Sequence, residues 1–480
     1  MMIAAQGWSA MIAQPGKSPL ITIRVVFGVG AASDPAGKEG LASLTAAMIA
    51  EGGTARTPYK QIVDAMFPMA TAVDWQVDKE MTAFVVETHA DNLDRFYALF
   101  REMLLEPGWR EEDLSRVKDQ AVNFLRVSLR GNNDEELGKE VLYSRIYNGH
   151  PYGHHNIGRA GAIARITIGD LKQFYRRHYT RARLTVAVAG NYPAGFPERM
   201  EKDFAALPKG MAGAVKLPAV KAAEGRRLTL VEKDTGSVAM SIGFPIGVRR
   251  GHGDYVALLV AASWLGQHRS SGVRLYDRIR EARGLDYGDY AYIEYFPRGM
   301  FLMEPEPNLA RRQQIFQVWI RPVVPETAHF TLRLAFFELE RLRRDGMGRD
   351  DFERTRNFLS KYVNLLMKTK KAELGYAIDS RYYGIPDYIS YLKDALAKLT
   401  VDGVNRAVRR HMQLKNVRVV MVAGGCEELR KRIVGEAPSP MRYNSPKPAG
   451  LLEEDKLVER YALGISEANT RIVRADALFE

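Results

Sequence analysis

The sequence predicts an α+β protein made of two homologous domains in tandem, each a mostly antiparallel sheet packed with helices. Three observations carry that prediction. The chain repeats itself: Ile166-Thr167-Ile168, Leu171 and Arg176-Arg177-His178 recur as Leu399-Thr400-Val401, Val404 and Arg409-Arg410-His411, at a constant offset of 233 residues (166 to 399). Each copy reads as a helix begun by a threonine N-cap, then a β-branched strand ending in Ala-Gly, Thr185 to Gly190 and Val417 to Gly424. A shared tripeptide arises by chance; a cap, a basic triplet and a strand end in one register do not. Strand-like runs also cluster without the βαβ alternation of a parallel sheet. Finally, Leu207 to Gly225 is rich in Pro, Gly, Ala and Lys and has neither period, as a linker should. The domains are expected at 1–210 and 227–480, with the linker over 211–226.

Within the first domain, hydrophobic periodicity predicts strands at Leu20–Val29, Ala72–Val77, Met81–Thr88 and Leu184–Ala189. It predicts helices at Lys38–Glu51, Asp91–Leu105, Glu111–Leu129 and Glu135–Tyr147. In the second, strands are expected at Leu228–Glu232, Val238–Phe244, Tyr287–Tyr295, Met300–Glu304 and Val417–Val422. The helices expected there are Asp254–Leu265, Gly272–Ala282, Gln313–Pro322, Ala328–Arg343 and Asp350–Met367.

Composition narrows the function classes. Of 480 residues, 46% are apolar and 26% charged, which is globular and argues against a disordered or fibrous chain. No apolar run approaches the ~20 residues that span a bilayer. One cysteine, Cys426, excludes an internal disulfide and a multi-cysteine zinc site, and its place past a strand end reads as core. The net charge of +12 invites a nucleic-acid reading, but the arginines are scattered in short pairs beside acids, with no basic tail. No nucleic acid is expected as a partner. The first charge is Lys17, and Gly7-Trp8 breaks the apolar start, so this stretch lacks the basic region of a secretory leader.

Two motifs invite chemistry and read as structure instead. Gly28-Val29-Gly30 follows a strand, but Asp34-Pro35 intervene before the helix, unlike a dinucleotide fingerprint. His150 and His154 have the i, i+4 spacing of zinc ligands, but Pro151 and Gly153 between them make a loop. No G-x-S-x-G elbow exists anywhere in the chain.

Other residues carry a resemblance. They are Ala32-Ser33-Asp34-Pro35 to Gly40-Leu41-Ala42, the turn from Gly149 to Gly158, and Ala189-Gly190. The fullest run goes from Leu265-Gly266 through Arg274-Leu275-Tyr276 to Arg280-Glu281-Ala282-Arg283-Gly284-Leu285-Asp286-Tyr287. From about residue 20 to about 425 the chain resembles the pitrilysin/insulinase family of zinc peptidases. The resemblance implies two metallopeptidase-like domains forming half of a clamshell chamber, as in the family's half-size, dimeric branch. It also exposes departures. Where active members carry the inverted H-x-x-E-H motif, this chain has Ser43, Ala46 and Ala47, and the third ligand would fall near Asn123 or Phe124. This implies no metal and no cofactor in this chain, with zinc expected in a partner subunit. The family's Arg and Tyr, spaced R-x6-Y, match Arg280 and Tyr287. A guanidinium fork and a phenol suit a developing oxyanion; the alternative is a helix-capping arginine and a strand-packed tyrosine. The substrate edge strand would lie near Val73, Asp74 and Trp75, where Asp and Trp replace the family's Asn and small residue, and a plain core strand is the alternative.

Together these imply a non-catalytic, zinc-less subunit supplying Arg280 and Tyr287 in trans to a zinc-bearing peptidase of the same family, acting on peptides. The alternatives are a homodimeric or scaffolding pseudo-peptidase and, third, a peptidase using His150 and His154. Half-size bacterial relatives imply a periplasmic location, with cytoplasmic the alternative. Gln6-Gly7-Trp8 resembles the family's early turn, so the chain is expected to begin inside its first strand.

Overall fold

The structure is a computed structural model that describes residues 9–211, 213, 215–221, 224–267, 272–297 and 304–480. The first domain's strands are β1 (Ala10–Pro15), β2 (Leu20–Phe27), β3 (Val73–Val77), β4 (Thr82–His89) and β5 (Leu184–Gly190). Its helices are α1 (Leu41–Glu51), α2 (Tyr59–Met66), α3 (Leu93–Leu105), α4 (Glu111–Asn123), α5 (Asp134–Ile146), α6 (Ala160–Arg165), α7 (Ile168–His178) and α8 (Phe196–Phe204). The second contributes β6 (Arg227–Glu232), β7 (Val238–Ile246), β8 (Asp286–Tyr292), β9 (Gln314–Val323), β10 (Arg418–Ala423) and β11 (Thr470–Arg474). With them come α9 (Tyr255–Gly266), α10 (Ala328–Asp345), α11 (Arg349–Tyr362), α12 (Lys370–Tyr383), α13 (Tyr388–Lys398), α14 (Val401–His411), α15 (Cys426–Val434) and α16 (Ala449–Val458).

The duplication is written in the sheets. The first runs β1-β5-β2-β4-β3 and the second β11-β6-β10-β7-β9-β8. β1 with β5 in the first sheet, and β11 with β6 and β6 with β10 in the second, pair parallel, and every later pairing in each sheet is antiparallel. The threonines of the repeated motif cap as their type predicts: Thr167 Oγ1 accepts from Asp170 N at 3.3 Å, and Thr400 Oγ1 from Gly403 N at 3.2 Å. At Thr167 a reciprocal bond from its own N to Asp170 Oδ2, 3.0 Å, completes a capping box.

Each domain lends the other a helix. Leu137, Val141, Leu142 and Ile146 of α5 bury against Val231, Ala239, Val420 and Val422 of the second sheet. Leu374, Ile378 and Tyr383 on α12 bury against Val26, Val85 and Ala187 of the first. Polar bonds follow the same seam. The Arg311 Nε donates to Asp78 Oδ2 at 2.7 Å and Arg312 Nε to Glu80 Oε2 at 2.6 Å, with Asp78 and Arg311 fully buried. A guanidinium–carboxylate pair there forms one charge-assisted unit across the domains.

Several expectations change. Gln313–Pro322 is strand β9 (Gln314–Val323), not a helix: nine of its ten residues, all but Pro322, are buried, since α5 and α9 cover opposite sides of that sheet and erase the period of two. Leu20–Phe27 is the second strand, because Ala10–Pro15 precedes it and pairs parallel with β5; Gln6-Gly7-Trp8 lie outside the described residues. Glu111–Leu129 is α4 continued by a π-helical segment, Phe124–Gly131. The helix expected over Gly272–Ala282 is a short π-helical turn, Tyr276–Glu281. Met300–Met303 and His268 lie outside the described residues.

Candidate active site

Arg280 and Tyr287 are brought together. Ile279 and Leu285 are buried on either side of the turn, Gly284 turns the chain at φ 68°, and Gly284 N donates to Arg280 O at 2.7 Å. Arg283, between them, is buried and clamps the turn to α16, donating to Asp455 Oδ1 and Glu454 Oε2 at 2.8 Å each. On that base the Arg280 guanidinium lies 5.2 Å from the Tyr276 ring centre and 4.9 Å from that of Tyr287. Its Nη1 donates to the Tyr287 carbonyl at 2.6 Å. Tyr287 is the second residue of β8, the last strand of the second sheet among the described residues, and is 57% exposed. The pair is thus a positioned cation and phenol on a solvent-facing edge, able to donate to a negative oxygen.

Two residues here escaped the sequence reading. Asp286 and Asp289 flank Tyr287 on β8; Asp289 is fully buried, and among the described residues the two carboxyls have no hydrogen-bond partner but each other. Burial pushes the Asp286 carboxyl up to about 7 against the pull of Arg280. Burial, then Asp286 and Asp277, raises Asp289 well above the usual carboxylate range. The signal was present: two acids three apart inside an otherwise apolar strand.

Ser43, Ala46 and Ala47 lie on α1, where ten of eleven residues are buried and Ala46 is fully so. α1 begins at Gly40, held at φ 110° where a side chain would meet Ile157 O at 2.5 Å, and Asp34 accepts from Gly40 N and Ala42 N at 2.7 Å. One buried hydroxyl and two methyl groups cannot make a zinc site. Asn123 ends α4 exposed, and Arg116 on that helix instead reaches Glu51 at 3.3 Å. The donor set therefore does not fit the family's metal.

Val73, Asp74 and Trp75 lie on β3, an edge strand of the first sheet. Trp75 Nε1 donates to Glu51 Oε1 at 2.8 Å, Lys371 pairs with Asp74 at 2.6 Å, and Gln76 Nε2 donates to Asn308 O at 3.1 Å. A cleft of about 660 Å3 lies between this strand and the second domain, lined by Arg24, Trp75, Gln76, Tyr362 and Tyr376 among others.

His150 and His154 sit in a loop and serve it. His150 Nδ1 accepts from Tyr152 N at 3.1 Å, and His154 Nε2 meets Asp34 Oδ2 at 3.1 Å. Cys426 is buried, its thiol raised to about 12 by burial and by Glu232, so it is not a nucleophile.

Known proteins agree with this architecture. Residues 11–159 match the model of the insulinase peptidase family, family M16, and residues 165–359 that of the M16 peptidase inactive domain. With most of its length so matched, the chain belongs to the insulinase (M16) peptidase family. It is 27% identical over 246 residues to an uncharacterised zinc protease of Mycobacterium tuberculosis, covering 50% of this chain and 55% of that one; the match spans about half the length of such relatives. A protein of Helicobacter pylori named a non-peptidase homolog is 21% identical over 408 residues, 84% of this chain and 89% of its own. Among solved structures, an M16 inactive-domain protein from Pseudomonas fluorescens has a TM-score of 0.74 at 23% identity, covering 88% and 98% of the two chains. A chain of complex III2 from Candida albicans gives 0.66 at 13%, covering 87% and 94%.

Proposed function

We propose that this chain is a subunit of an insulinase-family peptidase with no catalytic zinc of its own in the first domain, placing Arg280 and Tyr287 beside the zinc of a partner subunit during peptide hydrolysis. The observation that carries the reading is the contrast between two sites. The α1 positions offer no ligand set, while Arg280 and Tyr287 are stacked, bonded and backed by buried Arg283 on an exposed edge. In the partner's site the guanidinium and phenol would donate to the carbonyl oxygen as it becomes an oxyanion. The name of the Helicobacter pylori relative, a non-peptidase homolog, supports the zinc-less part of the reading. Arg280→Ala should lower kcat of the two-subunit complex by about 10²–10³, the usual loss for one such donor. Unchanged turnover in a complex that still assembles would sink the proposal. We assign the complex to the periplasm, with the cytoplasm as alternative; cell fractionation decides.

The second reading is a scaffolding or peptide-binding pseudo-peptidase. It is favoured by the engagement of β3 within its own chain through Glu51, Lys371 and Asn308. On that reading peptides bind uncleaved, and Arg280 and Tyr287 are dispensable.

A further inference from the structure

We infer that His252, Asp254 and His411 form a divalent metal site on the second domain, with zinc as the ion its donors suit. These are the one group of three such side chains among the described residues whose ligand atoms all lie within 4.8 Å of one another. Two imidazole nitrogens and a carboxylate oxygen are a borderline donor set that matches zinc better than calcium or magnesium. In a tetrahedral zinc site, with bonds of about 2.0–2.1 Å, ligand atoms stand roughly 3.4 Å apart. His411 Nε2 and Asp254 Oδ2 are already 2.7 Å apart, and the His252 ligand nitrogen lies within 4.8 Å of both. An ion would take the place of the proton they share.

The scaffold supplies what such a site requires. His252 and Asp254 come from one turn, where Asp254 N donates to His252 Nδ1 at 3.0 Å and Asp254 stands at the N-cap of α9. His411 is the last residue of α14, which packs on α9. The His252 and His411 rings are 5.5 Å apart, nearly perpendicular. His252 is exposed, so the open coordination position faces solvent. Arg410 Nη1 also bonds Asp254 Oδ2 at 2.7 Å, and its side chain is 63% exposed. It neutralises the carboxylate without metal and has room to swing away.

The internal repeat provides the contrast. His178 is the first-domain counterpart of His411, but its ring packs on Phe174 at 4.5 Å, and its Nδ1 is buried without a hydrogen-bond partner. Only the second copy joins the shared Arg-Arg-His triplet to a His-Gly-Asp turn.

The test is calorimetric titration of Zn2+ into the tag-free full-length chain at pH 7.5, without any partner subunit. One ion per chain is expected, weakened at least ~10-fold in His411→Ala and in Asp254→Asn. Arg410→Ala should tighten it, because the competing cation is gone. Co2+ provides a second readout, with tetrahedral ligand-field bands that disappear in His252→Ala. Absence of saturable binding, or binding unchanged in both His411→Ala and His252→Ala at unchanged circular dichroism, overturns the site. The result is independent of peptidase activity.

Discussion

The two carboxylates beside Arg280 and Tyr287 make a sharp prediction for Asp286→Asn. Asp289 is fully buried on β8, and the Asp286 carboxyl faces it across a hydrogen bond that needs one of the two to keep its proton. Both hold protons to higher pH in the folded chain than in the unfolded one. Their contribution to stability is therefore complete below the ordinary carboxylate range near 4. It is lost as the pH rises through about 7, where the folded Asp286 gives up its proton. An asparagine at 286 cannot charge. At pH 5 it replaces an acid that is already neutral, and stability should be unchanged. At pH 8.5 it removes the Asp286 charge, held by burial against a second carboxyl, a stabilisation of about 1–3 kcal/mol. At roughly 2.1 cal/mol/K per residue, a chain unfolding as one unit has an unfolding entropy of about 1 kcal/mol/K, so Tm should rise by about 1–3 °C at the higher pH. Urea melts at both pH values, with scanning calorimetry at each, measure the difference. Equal effects at both, or a loss of stability that grows with pH, would refute the shared-proton argument.

Three further outcomes follow from the fold. Arg311→Met leaves Asp78 buried without its guanidinium and should cost about 3–5 kcal/mol, largely recovered in the double variant with Asp78→Asn; additive losses in urea melts would contradict it. Leu142→Ala on the exchanged helix α5 should cost about 2–5 kcal/mol and move a single transition seen alike by far-UV dichroism and tryptophan fluorescence; two transitions, one of them unmoved, would disprove the coupling. Thr400→Ala should lose about 1 kcal/mol in denaturant melts, and Thr167→Ala somewhat more, because only Thr167 sits in a complete capping box.

The repeated Thr caps and the basic triplets were legible because a cap is decided within four residues. The strands at Val73–Val77 and after Gly284 were legible for the same local reasons, whereas the edge position of the first came only from the family resemblance. What resisted reading was set by distance. β9 lies between layers of which one, α5, comes from the other domain, so its pattern has no alternation to find. The role of α12 likewise depends on a sheet more than a hundred residues earlier. His411 meets Asp254 across 157 residues, and no spacing in the sequence foretells it. Arg280 and Tyr287 were legible only through family resemblance, since R-x6-Y alone is an ordinary helix-to-strand connection.

The two halves share a topology but not a division of labour. β8 ends the second sheet where β3 ends the first, and α9 lies under β8 as α1 lies under β3. In the first half, α1 carries small buried residues at 43, 46 and 47, and the residues of β3 are tied to Glu51, Lys371 and Asn308. A glutamate at 46 would need room at a position with no exposed surface. In the second half, buried charge is concentrated under an exposed edge. Arg283 is fixed by two carboxylates, and Arg280 is held between two phenol rings and a carbonyl. A surface used only for packing gains nothing from an immobilised cation that faces solvent. Preorganised donors on an edge are what stabilisation of developing charge requires, and in this chain they stand on the half opposite the one whose helix can hold no zinc.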